Sequence, residues 1–421
     1  MRHNAAQRRD MEIWRINDKW MLFSVFTVPS QQRNPGAMQH MAALSSDTRP
    51  QDDAWVAMGG GLAERLGALH QEIRGIPGLE AVDRISVAVH DAGTDQLRTF
   101  LEANAGPRPF DRVSDRLQHH AALLHVARTG EPWVDNAIAG PERSDGPGAQ
   151  LLLHGFRSRY VVRIHRGTTL YGLLFFNSRR AGYFTDAVIA ALTPFRRLID
   201  VLVTSELTSQ RAMLAAVRTA LQVSQYRDEE TGAHLDRMSH YAELIAQRVA
   251  LQRGLSDEYV EYVFQYAPLH DVGKVAIPDN ILLKPGRLEP AELEIMRGHV
   301  AKGVEIIDAM VRDHGLEALP LRSVLRNVVG CHHECYDGSG YPRGLAGEDI
   351  PLEGRIVMVA DVFDALTSRR PYKEAWSNEE ATAFLREHAG RKFDPACVEA
   401  LLADPQAILD IQRQFHDAPA A

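Results

Sequence analysis

The chain has 421 residues, with 47 Lys and Arg against 55 Asp and Glu and a formal net charge of −8. Soluble domains usually run ~100–200 residues, so two domains, each with a full core, are expected. Apolar residues make up 45% and charged residues 24%, which argues against a fibrous or largely disordered chain. The acidic balance argues against a generic nucleic-acid surface, and three cysteines are too few for a disulfide framework, so a reducing, cytoplasmic setting fits.

The apolar stretch at residues 20–28 is about half of the ~20 residues that span a bilayer, so no membrane segment is expected. It also lacks a small-residue cleavage site behind it. Residues 1–50 are rich in Gln, Arg and Met without a clear period, and are expected to be disordered or to follow from a start codon placed too early.

Residues 54–205 read as a mixed α and β domain. Leu62, Leu66, Leu69 and Ile73 have helical spacing within an expected helix at 57–76. Residues 84–90 alternate as a strand and run into an Asp91-Ala92-Gly93 turn. Residues 160–165 and 170–177 are β-rich runs joined by Arg166-Gly167-Thr168-Thr169, a hairpin signal. Residues 184–203 return to helical spacing. The fold class expected here is α+β, with a central antiparallel sheet and helices packed on it.

Residues 206–227 read as a connecting helix free of Pro and Gly from 206 to 225. Leu207, Leu214, Val217 and Leu221 share one face at heptad-like spacing, interrupted by Gln210 and Ser224. That face either pairs with a second copy in a homodimer or packs on its own chain, and both readings stay open. Residues 228–410 read as an all-α domain, with helices at 231–253, 257–266, 290–311, 319–331, 356–367, 378–387 and 395–404.

The 18 histidines split evenly between the halves, nine up to His165 and nine from His234 onward, but their spacing does not. In the second half metal-type side chains fall in short clusters. Glu230 and His234 are one helical turn apart. His270-Asp271 runs into Val272-Gly273-Lys274, and His299 lies inside a later helix. His332-His333-Glu334 leads into Asp337-Gly338-Ser339-Gly340-Tyr341-Pro342, and Asp361 and Asp364 sit one turn apart. Imidazole with carboxylate suits Fe, Mn, Zn and similar cations. A shared carboxylate can hold two such ions ~3.5–4 Å apart, where they acidify water and clamp the oxygens of an in-line displacement at phosphorus. Lys274 would neutralise a phosphate oxygen as charge builds. Each cluster alone is weak evidence. His-Asp also occurs at His90-Asp91 and His416-Asp417, and a lone helical His such as His299 is more often structural. Cys331 and Cys335 flank the His pair at metal-like spacing, but a second Cys pair is missing, so a zinc site is discounted.

Taken in order, LHDVGKVAIPDNILLKPGRL at 269–288, HHECYDGSGYP at 332–342 and ADVFDALTSRRPYKEAW at 360–376 resemble the bacterial HD-GYP phosphodiesterases, a subset of the all-helical HD superfamily of metal phosphohydrolases. The resemblance covers residues 227–403. It implies hydrolysis of the second messenger cyclic di-GMP to linear pGpG and, in some members, on to GMP. It implies metal ligands at His270, Asp271, His299, His332, His333 and Asp361, with Asp271 as the bridge. Glu230 and His234 match positions that hold an additional metal in some members, so the count is two or three ions, Fe or Mn. Lys274 is implied as a catalytic group facing the scissile phosphate. Arg370, Lys373 and Asp364 are assigned to substrate binding. The Gly340-Tyr341-Pro342 loop is associated with shaping the site or docking diguanylate cyclases of the GGDEF class. Cys335 stands where a basic residue is common, and would make the site edge sensitive to oxidation; Ala276 stands where Gly is common.

Residues 62–203 resemble a GAF domain, a small-molecule sensor and dimerisation module, on RISVAVHD and YVVRIHRGTTLYGLLFFNS. This region has no Cys, which excludes a thioether-linked bilin. His119, His120 and His125 are haem-ligand candidates, with solvent-facing histidines as the plainer reading, and the GAF ligand is left open. The resulting expectation is a GAF-regulated cyclic di-GMP phosphodiesterase. Hydrolysis of another cyclic dinucleotide or of (p)ppGpp, and a non-catalytic cyclic di-GMP receptor, stand as alternatives.

Overall fold

The computed structural model describes residues 61–106, 114–138, 147–225, 232–313, 322–368 and 375–416. The expectations for residues 1–50, Glu230, Arg370 and Lys373 lie outside the described residues, as do the side chains of Val217 and Leu221.

The N-terminal unit starts with helix α1 (Leu62–Arg74), whose Leu62, Leu66, Leu69 and Ile73 form one buried face. Six strands follow: β1 (Arg84–Asp91), β2 (Gln96–Asn104), β3 (Ser114–Arg116), β4 (Trp133–Asp135), β5 (Ser158–Arg166) and β6 (Thr169–Ser178), with α2 (Ala121–Thr129) between β3 and β4 and α3 (Pro147–Leu153) between β4 and β5. They form one antiparallel sheet in the order β3-β2-β1-β6-β5-β4. β5 and β6 form the expected hairpin, with Arg166 opposite Thr169 and Gly167 at φ 59°, in the left-handed region that glycine adopts without strain. One layer of core packs the sheet against α1 and the following long helix. A smaller apolar cluster on Val126, Val161 and Leu173 lies under α2.

Strand β2 was not legible as a strand, because Arg98, Thr99 and Glu102 break any apolar alternation. The physical reason lies in the other half of the chain. Arg98 is buried and its guanidinium donates to both carboxylate oxygens of Glu261, each at 3.2 Å, while Phe100 meets Tyr262 edge to face at 6.3 Å. Residues that look solvent-facing in sequence are therefore covered by a helix contributed from some 160 residues away.

The two helices expected at 184–203 and 206–225 are one helix, α4 (Asp186–Gln225), of 40 residues with Pro194 inside it. At ~1.5 Å per residue it runs ~60 Å. Leu207 is buried in the core of the N-terminal unit and Leu214 in the core of the helical unit. At these two positions the apolar stripe is used within the chain, which favours the own-chain reading over the dimer seam.

The helical unit comprises α5 (Gly232–Arg253), α6 (Asp257–Tyr266), α7 (Asp279–Leu282), α8 (Pro290–Arg297), α9 (His299–Asp313), α10 (Arg322–Cys331), α11 (Leu352–Thr367), α12 (Asn378–Glu387), α13 (Pro395–Leu402) and α14 (Pro405–Gln414). Its main core is built on Tyr241, Tyr262, Tyr266 and Phe363, with Ile356 and Leu401. The helix expected at 290–311 is broken at Gly298 into α8 and α9. His299 thus opens a helix instead of lying inside one. No helix among the described residues is long and apolar enough to cross a membrane.

The two units are packed together. Besides the Arg98–Glu261 pair, the Glu258 carboxylate on α6 accepts from the N–H groups of Leu62 (3.1 Å) and Ala63 (3.2 Å). It supplies the N-terminal cap that Gly61 has no side chain to provide.

Candidate metal centre

Five segments converge on one buried point. From the end of α6 the chain passes through a 3-10 turn, Ala267–Leu269, into His270 and Asp271, then a second 3-10 turn, Val272–Ala276. This turn lies directly against the start of α9. A Cβ added to Gly273 would sit 1.8 Å from the His299 carbonyl oxygen and 2.5 Å from the Gly303 nitrogen, so only glycine allows the approach. The break at Gly298 puts His299 at that contact. His332 and His333 follow the end of α10, Asp361 projects from α11 and His234 from the first turn of α5.

Donor atoms fall into two groups, each within 4.8 Å: Asp271 with His299, His332 and His333, and His234 with His270 and Asp361. The Asp271 carboxylate stands between them. Its Oδ1 is 3.1 Å from His299 Nε2 and 3.5 Å from His332 Nε2. Its Oδ2 is 3.1 Å from His270 Nε2 and 2.7 Å from Lys274 Nζ. One oxygen thus faces each group, which is the arrangement of a bridging ligand. His234 Nε2 lies 3.8 Å from Asp361 Oδ1.

The imidazoles are aimed by their own backbones. Nδ1 of His270 is 3.0 Å from the Ala267 carbonyl, Nδ1 of His299 is 2.8 Å from that of Met296, and Nδ1 of His332 is 3.0 Å from that of Val329. A carbonyl only accepts, so each Nδ1 donates and each Nε2 turns its lone pair to the centre. Burial lowers the basicity of His332, and burial with the neighbouring imidazoles puts His333 well below the ordinary range. Burial alone would raise the Asp271 carboxyl, but the Lys274 ammonium beside it holds it well below the usual carboxylate range. Neutral imidazoles and an ionised carboxylate are the protonation states that a cation needs. The mixed nitrogen and oxygen set fits a borderline divalent cation such as Fe, Mn or Zn.

The Gly340-Tyr341-Pro342 loop braces the His pair. The Tyr341 ring stacks on His333 with centroids 4.7 Å apart, its N–H donates to the His333 carbonyl at 3.1 Å, and Arg297 lies 5.2 Å from the ring centroid on α8. Glu334, which the sequence reading left without a role, accepts from the N–H groups of Arg343 (2.8 Å) and Leu345 (3.0 Å) and so pins the loop from inside. At Gly340 a Cβ would lie 2.1 Å from the Cys335 nitrogen and 2.5 Å from the His333 carbonyl oxygen. All of these obstacles are backbone, so Gly340→Ala should cost about 1–3 kcal/mol of stability, read as a lower urea midpoint at unchanged slope. A parent-like midpoint would mean that the loop does not brace the site.

Several expectations need correction. Asp364, assigned to substrate, is fully buried; one oxygen faces His234 Nδ1 at 2.7 Å and both accept from Arg237. It stands behind a ligand, not before a substrate. Cys335 is also fully buried, and burial pushes its thiol up to about 11, which removes the reactive thiolate that oxidation at the site edge would need. Cys331 lies against Arg343 and belongs to neither donor group. In the N-terminal unit His119 and His120 both pair with Asp115, at 2.8 and 2.9 Å, and His125 with Glu131 at 3.3 Å, so these rings have acidic partners at the surface. Lys274 is buried, with its ammonium on Asp271.

A helical unit that gathers five histidines and two aspartates from five separate segments into two adjoining, largely buried groups is a metal-type domain. The sequence pattern of the HD domain matches residues 183–397, and the chain belongs to the HD domain family. The matched stretch begins before α4, so it takes in the long helix as well. Over 211 residues the chain is 47% identical to the cyclic di-GMP phosphodiesterase response regulator RpfG of Xanthomonas campestris, covering 50% of this chain and 52% of that one. Over 191 residues it is 44% identical to the 3'3'-cGAMP-specific phosphodiesterase 2 of Vibrio cholerae, covering 45% of this chain and 34% of that one. The chain thus spans about half or less of the length of these relatives. Among solved structures, the GAF domain/HD domain protein of Geobacter sulfurreducens aligns with 35% of this chain and 95% of its own at 16% identity and a TM-score of 0.27.

Proposed function

We propose that the protein is a metal-dependent phosphodiesterase that hydrolyses cyclic di-GMP to linear pGpG. The observation that carries this reading is the Asp271 carboxylate, with one oxygen turned to each of two buried donor groups and Lys274 beside it. His299, His332 and His333 would hold one divalent cation, and His234, His270 and Asp361 the other, with Asp271 shared and Glu230 available to a third. Fe or Mn is the expected metal. Bound cations would supply an acidified water and Lewis-acid polarisation of the phosphoryl oxygens. The chain's own contribution is positional and electrostatic. Backbone carbonyls fix the tautomers of the ligands, Lys274 sets a positive charge beside the bridging carboxylate, and burial keeps these interactions strong. Arg370 and Lys373 are proposed to receive the ligand's phosphates, and the sheet-bearing unit to serve as a GAF-type sensor, in a cytoplasmic homodimer.

The relatives' names support a cyclic dinucleotide and divide between two of them, so substrate is the quantity to measure. Full-length protein, purified anaerobically and loaded with Fe(II) or Mn(II), should convert cyclic di-GMP to linear product faster than cyclic GMP-AMP or ppGpp when read by chromatography. Faster turnover of cyclic GMP-AMP would replace the substrate. Tight binding of cyclic di-GMP without product, at full metal occupancy, would replace the enzyme by a receptor.

A further inference from the structure

The histidines of the centre are not held alike. His270, His299 and His332 rest their Nδ1 atoms on backbone carbonyls of their own turn. His234 instead meets a carboxylate from another helix, Asp364 Oδ2, at 2.7 Å. An ionised carboxylate accepts only, so Nδ1 of His234 carries the hydrogen and its Nε2 is turned toward Asp361. Asp364 is itself fixed from three sides. Arg237, one turn along α5 from His234, donates to its Oδ1 at 2.6 Å and its Oδ2 at 3.1 Å. The Ser368 hydroxyl, just past the end of α11, donates to Oδ2 at 3.0 Å and accepts from Arg237 at 2.7 Å. The second arm of Arg237 donates to the Phe415 carbonyl at 2.8 Å, which ties the clamp to the end of α14.

Spacing along α11 explains why this works. Asp361 and Asp364 are one turn apart, so the same helix presents one carboxylate to the donor group and the next to the back of His234 opposite. A carboxylate behind an imidazole raises its donor strength as well as fixing its direction, which a neutral carbonyl does less well. His299 and His332 of the other group meet backbone carbonyls at Nδ1.

We propose that Asp364 is a positioning residue, clamped by Arg237 and Ser368, that selectively sets the metal affinity of the His234, His270 and Asp361 group. This rests on the two-centre reading of the site and is independent of which nucleotide is hydrolysed. The two ions would therefore be lost unequally, the one on His234 being the one that the clamp controls.

The test is a Mn(II) titration of metal-stripped full-length protein, with free Mn(II) counted by electron paramagnetic resonance. The parent should bind in two classes. Asp364→Asn should weaken one class by roughly 10–100-fold and leave the other within about twofold. Ser368→Ala keeps the carboxylate and Arg237 and removes only the hydroxyl, so it should weaken the same class by a smaller factor. It carries the test if Asp364→Asn fails to fold, as judged by the melt of the stripped protein. Parent affinities in both classes, or equal weakening of both, would overturn the proposal. Absence of two classes in the parent would instead remove the two-centre reading on which it rests.

Discussion

Asp271→Ala should reduce metal-dependent hydrolysis by at least ~1000-fold, about 4 kcal/mol of transition-state stabilisation, while the chain stays folded. The size of the effect follows from the position of the carboxylate. Its two oxygens face different donor groups, so its loss removes a ligand from both at once. It also removes the negative charge that lets four buried imidazoles and Lys274 accept a doubly charged neighbour. The fold should tolerate the change, because the main core of the helical unit is built on Tyr241, Tyr262, Tyr266 and Phe363, none of which is Asp271's partner. Loss of the carboxylate also takes from the buried Lys274 ammonium its ion-pair partner at 2.7 Å, so the stripped variant should melt lower than the parent while staying folded. Three measurements belong together: turnover of cyclic di-GMP, metal content by elemental analysis, and a thermal melt of the stripped protein. Hydrolysis by the purified variant at the parent rate would sink the bridged mechanism. Loss of the folded state in the stripped protein would show that Asp271 is structural first.

The parts of this site that local chemistry dictates were readable in the sequence, and the parts made by packing were not. Helices α6 and α12 fall on their expected residues because Ser256 and Ser377 cap them, each side chain accepting from the N–H three residues on. The ligand types were readable as clusters, since imidazole and carboxylate at one-turn spacing have a chemistry of their own. The apolar pattern continues through Gly298 and puts His299 mid-helix in sequence, whereas the contact of Gly273 with the His299 carbonyl, which needs the break, involves residues 26 apart in sequence. In sequence Asp364 reads as a substrate ligand, because its place beside Asp361 is visible while the Arg237 clamp, 127 residues away, is not. Glu334 could have been found: it follows the His pair directly, and a carboxylate next to a turn is a ready acceptor for the turn's N–H groups. Strand β2 could not, because its defining partner is Glu261.

That partner makes Arg98→Met the second large prediction, and it concerns how the two halves are joined. Exposed ion pairs contribute ~0–1 kcal/mol, but removing one member of a buried pair costs about 3–5 kcal/mol because the other charge stays behind in a dry place. Arg98 is 4% exposed, Glu261 is fully buried, and the pair is bidentate with the guanidinium also 4.4 Å above the Phe264 ring. Arg98→Met should therefore lose stability in the buried range. Arg98→Met combined with Glu261→Gln should cost less than the sum of the two single changes, since the double variant leaves no charge stranded. The location adds a second outcome. The pair joins β2 to α6, and α6 runs directly into His270 and Asp271. If the seam couples the sheet to the helical unit, urea unfolding of the parent should be one transition by far-ultraviolet circular dichroism. In Arg98→Met the sheet should melt first and leave the helices, giving two. A loss under about 1 kcal/mol with a single transition would mean that α4 alone holds the units together, and that any signal from the sheet reaches His270 by way of the long helix instead of α6.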